Sequence, residues 1–371
     1  MPTRLTRSRS RSSSLQCTRM GPPCAWQDPP PFGILLARPR VARGSFPDRW
    51  AEFLDSRLVG KAKLMSSPPW EADRHLTQDG ARALIRDSFS DIDSRTLEHL
   101  GSGWQFDAYL TADGWVFRFP RRAWCEDLFA SERLVHQLVA PVLEPEIAIP
   151  KVELMGAPAQ GFPYKFAGHR FITGVPANTL DPSVEPTFAR GIGEALSAIH
   201  SIPKEEALAA GVRELEMDDG RIEWLKRGLQ HASGLRGLEP EIEPALNWIE
   251  QVALPPTQYE GPLRSIHHDL SPEHLIVNLK TGQLVGILDW TDAILGDAAR
   301  DFAALVTFHG WRFAEEVLRN YHAPIDSEFR ERMGYMARLL SVIWLSEAHL
   351  QGSDVAKHIE WVLNAFSSEG R

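Results

Sequence analysis

Cysteine is scarce in this chain: among 371 residues only Cys17, Cys24 and Cys125 carry a thiol. That excludes a disulfide framework and a four-cysteine zinc site, and it points to a reducing, cytoplasmic setting. Long apolar runs are missing as well. A stretch such as "LLSVIWL" at 339–345 falls far short of the roughly 20 residues that a membrane span needs, so no membrane partner is expected. The first 50 residues lack lysine altogether and set nine arginines against only Asp28 and Asp48. With a formal charge of -9 on the whole chain, the remainder is strongly acidic. An acidic body repels phosphate backbones, which argues against nucleic acid and favours cationic small molecules. A magnesium nucleotide stays compatible with it, because the metal brings its own positive charge.

What is present is patterned. Residues 1–70 are rich in Arg, Ser and Pro without sustained apolar periodicity, and are expected to form a disordered head. Alternatively, translation starts at Met65, since "MSSPPWEADRHLTQDG" leads straight into patterned sequence. From Leu76 the spacing predicts a helix capped by Thr77 and running to about Phe89, with Ala81, Leu84 and Ile85 on one side. Short alternating runs in "TLEHLGSGW", "FDAYLTADG" and "WVFRFP" predict an antiparallel meander. A helix over about 123–138 and strands within "IPKVELMG" and "YKFAGHRFITG" come next. Beyond Pro176 the pattern is helical near 183–203, 215–233, 240–253, 298–321 and 326–366. Only "HLIVNL" and "LVGILDW" interrupt it, as a hairpin around "KTGQ". The fold class is therefore α+β and two-lobed: a small antiparallel-sheet N-lobe over 71–172 and a larger, mainly helical C-lobe over 173–371. Clefts between lobes are where small ligands usually bind.

Chemistry concentrates around that hairpin. "SIHHDLSPEHLIVN" places Asp269 before it, and Asp289 ends its second strand, so the topology returns both acids to one edge. Taken alone, a His-x-Asp is more often a polar turn. A second acid at this distance suits phosphoryl transfer, in which one carboxylate takes the proton of the attacking hydroxyl and another holds Mg²⁺ on the nucleotide phosphates.

"HHDLSPEHLIV" followed by "GILDWTDAILGDAARDFAAL" resembles the catalytic loop and metal-binding segment of the aminoglycoside phosphotransferase family, and the likeness runs from about residue 75 to 366. The resemblance implies a protein-kinase-like fold, with ATP or GTP as co-substrate and Mg²⁺ as cofactor. It makes His267 the start of the catalytic loop, Asp269 the base, Asp289 the metal ligand and Asp301 a structural acid. His274 stands where the family usually has a metal-binding Asn, as in the aminoglycoside 2''- and macrolide 2'-phosphotransferases, and is carried as a second metal ligand. His268 is read as structural or solvent-facing.

In the N-lobe, "FRFPRR" resembles the strand of the phosphate-binding lysine, which puts Arg118 at that position; Arg keeps the charge but replaces a point-like ammonium by a planar fork. Glu132 is its ion-pair partner by the same resemblance. Gly101 and Gly103 form a glycine-rich loop whose amides could approach phosphates, although such loops also make ordinary hairpin turns. "FAGHRFITG" resembles the interlobe hinge, so the backbone of Arg170 to Ile172 would meet the purine, and Gly174 would permit the chain to reverse.

The acceptor is a small-molecule hydroxyl, foremost that of a cationic aminoglycoside. Asp292, Glu315, Glu316, Glu328, Glu347 and Asp354 are the candidate acids for its ammonium groups, though helix acids are more often a solvated face. A macrolide would need a broad apolar site, for which Trp311, Phe313, Tyr321, Trp344 and Trp361 are available unless they fill the core. A metabolite kinase is a further alternative. Outside this class stand a non-catalytic nucleotide-binding pseudokinase and a metal-binding protein built on His267, His268 and His274.

Overall fold

The computed structural model describes residues 72–103, 105–179, 186–214, 232–251 and 261–367. The Arg-rich head with Cys17 and Cys24, the alternative start at Met65 and most of the helix expected over 215–233 lie outside the described residues.

Helix α1 (Gln78–Ser88) begins where Thr77 places its hydroxyl 3.1 Å from the Gly80 amide, and it buries Ala81, Leu84 and Ile85, as the apolar spacing requires. The meander follows as β1 (Leu97–Ser102), β2 (Phe106–Thr111) and β3 (Trp115–Pro120). A 3-10 turn leads into α2 (Leu128–Leu143), and β4 (Leu154–Gly156) and β5 (Phe166–Arg170) complete a five-stranded sheet in the order β1-β2-β3-β5-β4, antiparallel throughout. Alternation along β3 sends Phe117 and Phe119 into one aromatic core, where Phe119 stacks on Phe166 at 4.6 Å. Arg118, between them, points to the opposite face, where α2 lies.

The helical lobe starts with β6 (Val175–Pro176), α3 (Pro186–His200) and α4 (Lys204–Ala209), followed by α5 (Glu243–Gln251). Then come β7 (Arg264–Ile266), β8 (Leu275–Val277), β9 (Leu284–Ile287) and β10 (Ile294–Gly296), and finally α6 (Ala299–Arg319), α7 (Phe329–Leu350) and α8 (Ala356–Phe366). The expected hairpin is present as β8 and β9, with β6 added at its edge, and β7 pairs with β10 in a second ribbon. The pattern over 326–366 holds two helices instead of one, because the chain turns at Gly352, whose φ is 67°, and Asp354 caps the Ala356 amide at 3.0 Å. Helix α6 is interrupted at Gly310, with φ 82° and ψ 168°. Trp311, Phe313, Tyr321, Trp344 and Trp361 are all buried in the one large core of this lobe. No helix among the described residues is long and apolar enough to cross a membrane.

Candidate active site

The hairpin register builds the chemistry. Leu275 pairs with Ile287, and the Leu288 amide donates to the His274 carbonyl at 2.8 Å, so the residue before β8 and the residues after β9 share one edge. There His274 stands between the two acids, with Nδ1 3.6 Å from Asp269 Oδ2 and Nε2 3.8 Å from Asp289 Oδ2. Its Nδ1 is also 2.9 Å from the Asp269 carbonyl, which fixes the ring.

The loop carrying Asp269 hangs from Asp301, fully buried at the start of α6. Its carboxylate accepts the His267 amide at 2.9 Å and the His268 amide at 2.8 Å. His200 lies 3.1 Å from the same carboxylate through Nε2 and 2.9 Å from the Tyr321 hydroxyl through Nδ1. His268 and Asp289 both adopt left-handed backbone, with φ of 73° and 54°. Non-glycine residues hold that conformation where the surroundings over-determine it, commonly at working sites. His267 is fully buried; its Nε2 is 2.9 Å from the Leu288 carbonyl and its ring meets Trp290 edge-on at 4.7 Å. His267, the expected start of the catalytic loop, thus has its ring enclosed by backbone and indole, as an anchor of that loop would.

Burial pushes the Asp269 carboxyl up to about 7; His274 opposes the rise, and Asp289 and Glu273 add to it. A base near neutrality suits general-base catalysis. Burial works in the same direction on Asp289, but His274, the Thr291 hydroxyl at 2.6 Å and Arg118 outweigh it and hold that carboxyl below its usual range. Two neighbouring acids are thus driven apart. Burial disfavours the charge on His274, yet Asp269, Asp289 and Glu273 raise it to about 9. The imidazolium therefore brings positive charge between the carboxylates, and it could serve as a metal donor only after losing its proton. Burial first, then Asp269 and Asp289, raises Asp292 well above the ordinary carboxyl range.

On the sheet side, Arg118 and Glu132 form the expected pair. Nη1 lies 3.1 Å from Oε1, Nη2 bonds Oε2, and the guanidinium lies 5.2 and 5.5 Å from the Phe106 and Phe129 ring centres. Glu132 is wholly buried, and burial raises its carboxyl while Arg118 opposes the rise. Thr291 links the lobes, its hydroxyl 3.3 Å from Gln105 Oε1. Sequence reasoning missed both Thr291 and Gln105. Thr291 had a signal, two positions past the metal-site acid; Gln105 had none.

The glycine loop is part of the β1–β2 hairpin. Gly101 is paired with Ala108 in the β1–β2 ladder, and the Gly103 amide donates to the Phe106 carbonyl at 2.8 Å while its own carbonyl accepts from Arg121. The Gly103 amide is thus engaged by its own hairpin in this structure. Trp104, within the same motif, lies outside the described residues. At the hinge, the Arg170 carbonyl is 2.9 Å from His169 Nδ1, and the Arg170 guanidinium stacks 3.8 Å from the Trp115 ring centre. Ile172 makes no backbone hydrogen bond among the described residues, so its groups stay available. Gly174 is required for close approach: a Cβ there would fall 2.5 Å from Ile276 Cγ2 and 2.9 Å from the Val277 carbonyl. A cavity of about 410 Å³ opens against this segment, lined in part by Ile149, Lys151, Ile172 and Val285; none of Arg118, Asp269 or Asp289 reaches it.

A histidine metal centre finds no support, since His267, His268 and His274 each turn a ring nitrogen to a backbone carbonyl. Among the described residues no three His, Cys, Asp or Glu side chains are grouped to hold a metal. One or two protein carboxylates completed by phosphate oxygens is nonetheless how Mg²⁺ is commonly bound at nucleotide sites, and Asp289 fits that chemistry.

The sequence profile of the phosphotransferase enzyme family, APH, matches residues 96–335. A Bacillus subtilis (strain 168) protein, YcbJ, described as uncharacterized, is 23% identical over 252 residues, spanning 64% of this chain and 78% of its own. Among solved structures, the GDP and kanamycin complex of APH(2'')-IIIa is similar with a TM-score of 0.61 and 23% identity, over 77% of this chain and 97% of that one. The apoenzyme of macrolide 2'-phosphotransferase MphH from Brachybacterium faecium gives a TM-score of 0.52 at 21% identity, over 79% and 99%. At these identities the solved structures establish the fold, a two-lobed kinase-like one.

Proposed function

The chain belongs to the phosphotransferase enzyme family, with a hydroxyl as acceptor, and from that premise we propose that it moves the γ-phosphoryl group of ATP or GTP to a hydroxyl of a small molecule, foremost an aminoglycoside. The observation that carries this reading is the Asp269–His274–Asp289 arrangement, in which one carboxyl is poised near neutrality and the other stays charged.

Asp269 accepts the acceptor's proton as its oxygen attacks the γ-phosphorus in line, and the bond to the β-phosphate oxygen breaks to release ADP or GDP. His274 holds Asp269 in place through its carbonyl and carboxylate. Arg118, fixed by Glu132, steadies the phosphates. Asp289 would hold Mg²⁺ together with those phosphates, and the ion would neutralise charge developing on the phosphoryl oxygens. The strongly acidic composition of the chain beyond its Arg-rich head supports a cationic acceptor. The macrolide alternative has weaker support, because the aromatics available to line a broad apolar site are packed in the core. The retained acid pair favours turnover over a pseudokinase.

Purified protein incubated with magnesium ATP or GTP and a panel of aminoglycosides, macrolides and simple alcohols tests this. Acceptor-dependent loss of nucleotide with one class names the substrate. Nucleotide binding with no acceptor phosphorylated across the panel would favour the pseudokinase.

A further inference from the structure

The Thr291 hydroxyl stands between two acceptors. Its Oγ1 lies 2.6 Å from Oδ1 of Asp289 and 3.3 Å from Oε1 of Gln105, and both Thr291 and Gln105 are buried, at 8% and 7% exposed. A hydroxyl has one hydrogen to give. The shorter contact, to a carboxylate oxygen at the length of a charge-assisted bond, takes it. The Gln105 carbonyl would then face a second oxygen with no hydrogen between them, an unfavourable contact between buried groups. Half a turn of the amide resolves it, placing Nε2–H against Thr291 Oγ1, and Nε2 has no hydrogen-bond partner among the described residues to give up.

The turn that carries Gln105 is held from both sides by Arg121, just past β3. Its backbone amide donates to the Gln105 carbonyl at 2.8 Å, and its guanidinium donates to the Gly103 carbonyl. Asp289 is less constrained. Its side chain is 31% exposed, the His274 ring is 3.8 Å away and the Thr291 amide 3.4 Å, so the Thr291 hydroxyl makes its one short hydrogen bond among the described residues. Whatever orients the hydroxyl therefore orients the carboxylate. We propose that Gln105 is a positioning residue for the metal-site acid: its amide donates to Thr291, Thr291 donates to Asp289, and this relay holds the carboxylate in the rotation that meets magnesium on the nucleotide phosphates. Gln105 belongs to the sheet lobe and the other two residues to the helical lobe, so the relay is made only while the lobes are closed. By linkage, a metal nucleotide that needs the oriented acid favours closure in return. The inference rests on the reading that Asp289 holds the nucleotide's magnesium.

The test compares Gln105→Met and Thr291→Val, each of which keeps size and removes one link, with their double variant and with Thr291→Ser, which keeps the hydroxyl. The full chain is titrated calorimetrically with ADP and GDP, in magnesium and again in EDTA. Gln105→Met should bind the magnesium nucleotide about fivefold more weakly than wild type, the worth of one neutral hydrogen bond, and the metal-free nucleotide equally well. Thr291→Val should likewise weaken only the magnesium form, the double variant should fall no further than Thr291→Val, and Thr291→Ser should stay near wild type. Wild-type affinity in Gln105→Met overturns the inference. Equal weakening with and without magnesium does so too, since a structural loop or a direct nucleotide contact would give that result. Additive losses in the double variant also overturn it, because they would make the two residues independent. A wild-type chain that binds neither nucleotide in magnesium overturns the phosphotransferase reading and this inference with it. Were Thr291→Val to lose its fold, the contrast between magnesium and EDTA in a folded Gln105→Met would still decide.

Discussion

On the helical-lobe side of the cleft, Asp269, His274 and Asp289 are set by one loop and one hairpin, and backbone hydrogen bonds fix the parts between them. On the sheet side, Arg118 and Glu132 come from a strand and a separate helix and meet as a buried ion pair. The first arrangement is rigid because short covalent spacing and ladder geometry leave little freedom. The second depends on burial and on partners that satisfy every oxygen, so one side-chain change propagates through it. Rigidity belongs to the proton-transfer side and adjustability to the phosphate side.

The comparison predicts where substitutions act. Asp269→Asn should lower turnover by about 10³-fold, the scale of a lost general base, with nucleotide affinity largely kept; steady-state kinetics and calorimetry separate the two. Since burial raises Asp269 from its ordinary 3.8 to about 7, kcat/KM should fall as pH drops below about 7, where the base is protonated. The stability sign follows from the same shift. Folded Asp269 retains a proton that the unfolded chain releases, so its contribution declines as pH rises from 3.8 to about 7. Asp269→Asn removes that decline, and denaturant unfolding should find it more stable than wild type above about pH 7 but not near the acid end.

Glu132→Leu should cost about 3 kcal/mol in denaturant unfolding, because it strands the Arg118 charge in a buried site. Asp301→Asn should cost about 2 kcal/mol and lower turnover as well, since the His267 and His268 amides lose a charged acceptor. Thr77→Ala, a cap on the far helix of the sheet lobe, should cost about 1 kcal/mol and leave turnover unchanged. If Asp301→Asn proved as silent in kinetics as Thr77→Ala, the rigid side of the comparison would not hold.

What could be read from the sequence divides along the same line. The meander, α1 and the β8–β9 hairpin carry clear periodicity or turn signals, and the spacing of Asp269 and Asp289 follows from the hairpin. The β7–β10 ribbon was not legible, because strands of three residues offer no alternation to read. The break between α7 and α8 was hidden inside one continuous helical period, with only "QGSD" to mark it. That the Gly103 amide is engaged by its own hairpin could not be read from the sequence. Thr291 meets Gln105 across 186 positions, a contact that only the closing of the lobes creates.

We propose that the Asp269–Asp289 edge transfers a phosphoryl group to a small-molecule hydroxyl. Mass spectrometry of an aminoglycoside acceptor after incubation with magnesium ATP or GTP tests it most directly, with wild type and Asp269→Asn side by side. Wild type should yield an acceptor carrying one added phosphoryl group, and Asp269→Asn almost none. An equally phosphorylated acceptor from both proteins would contradict it.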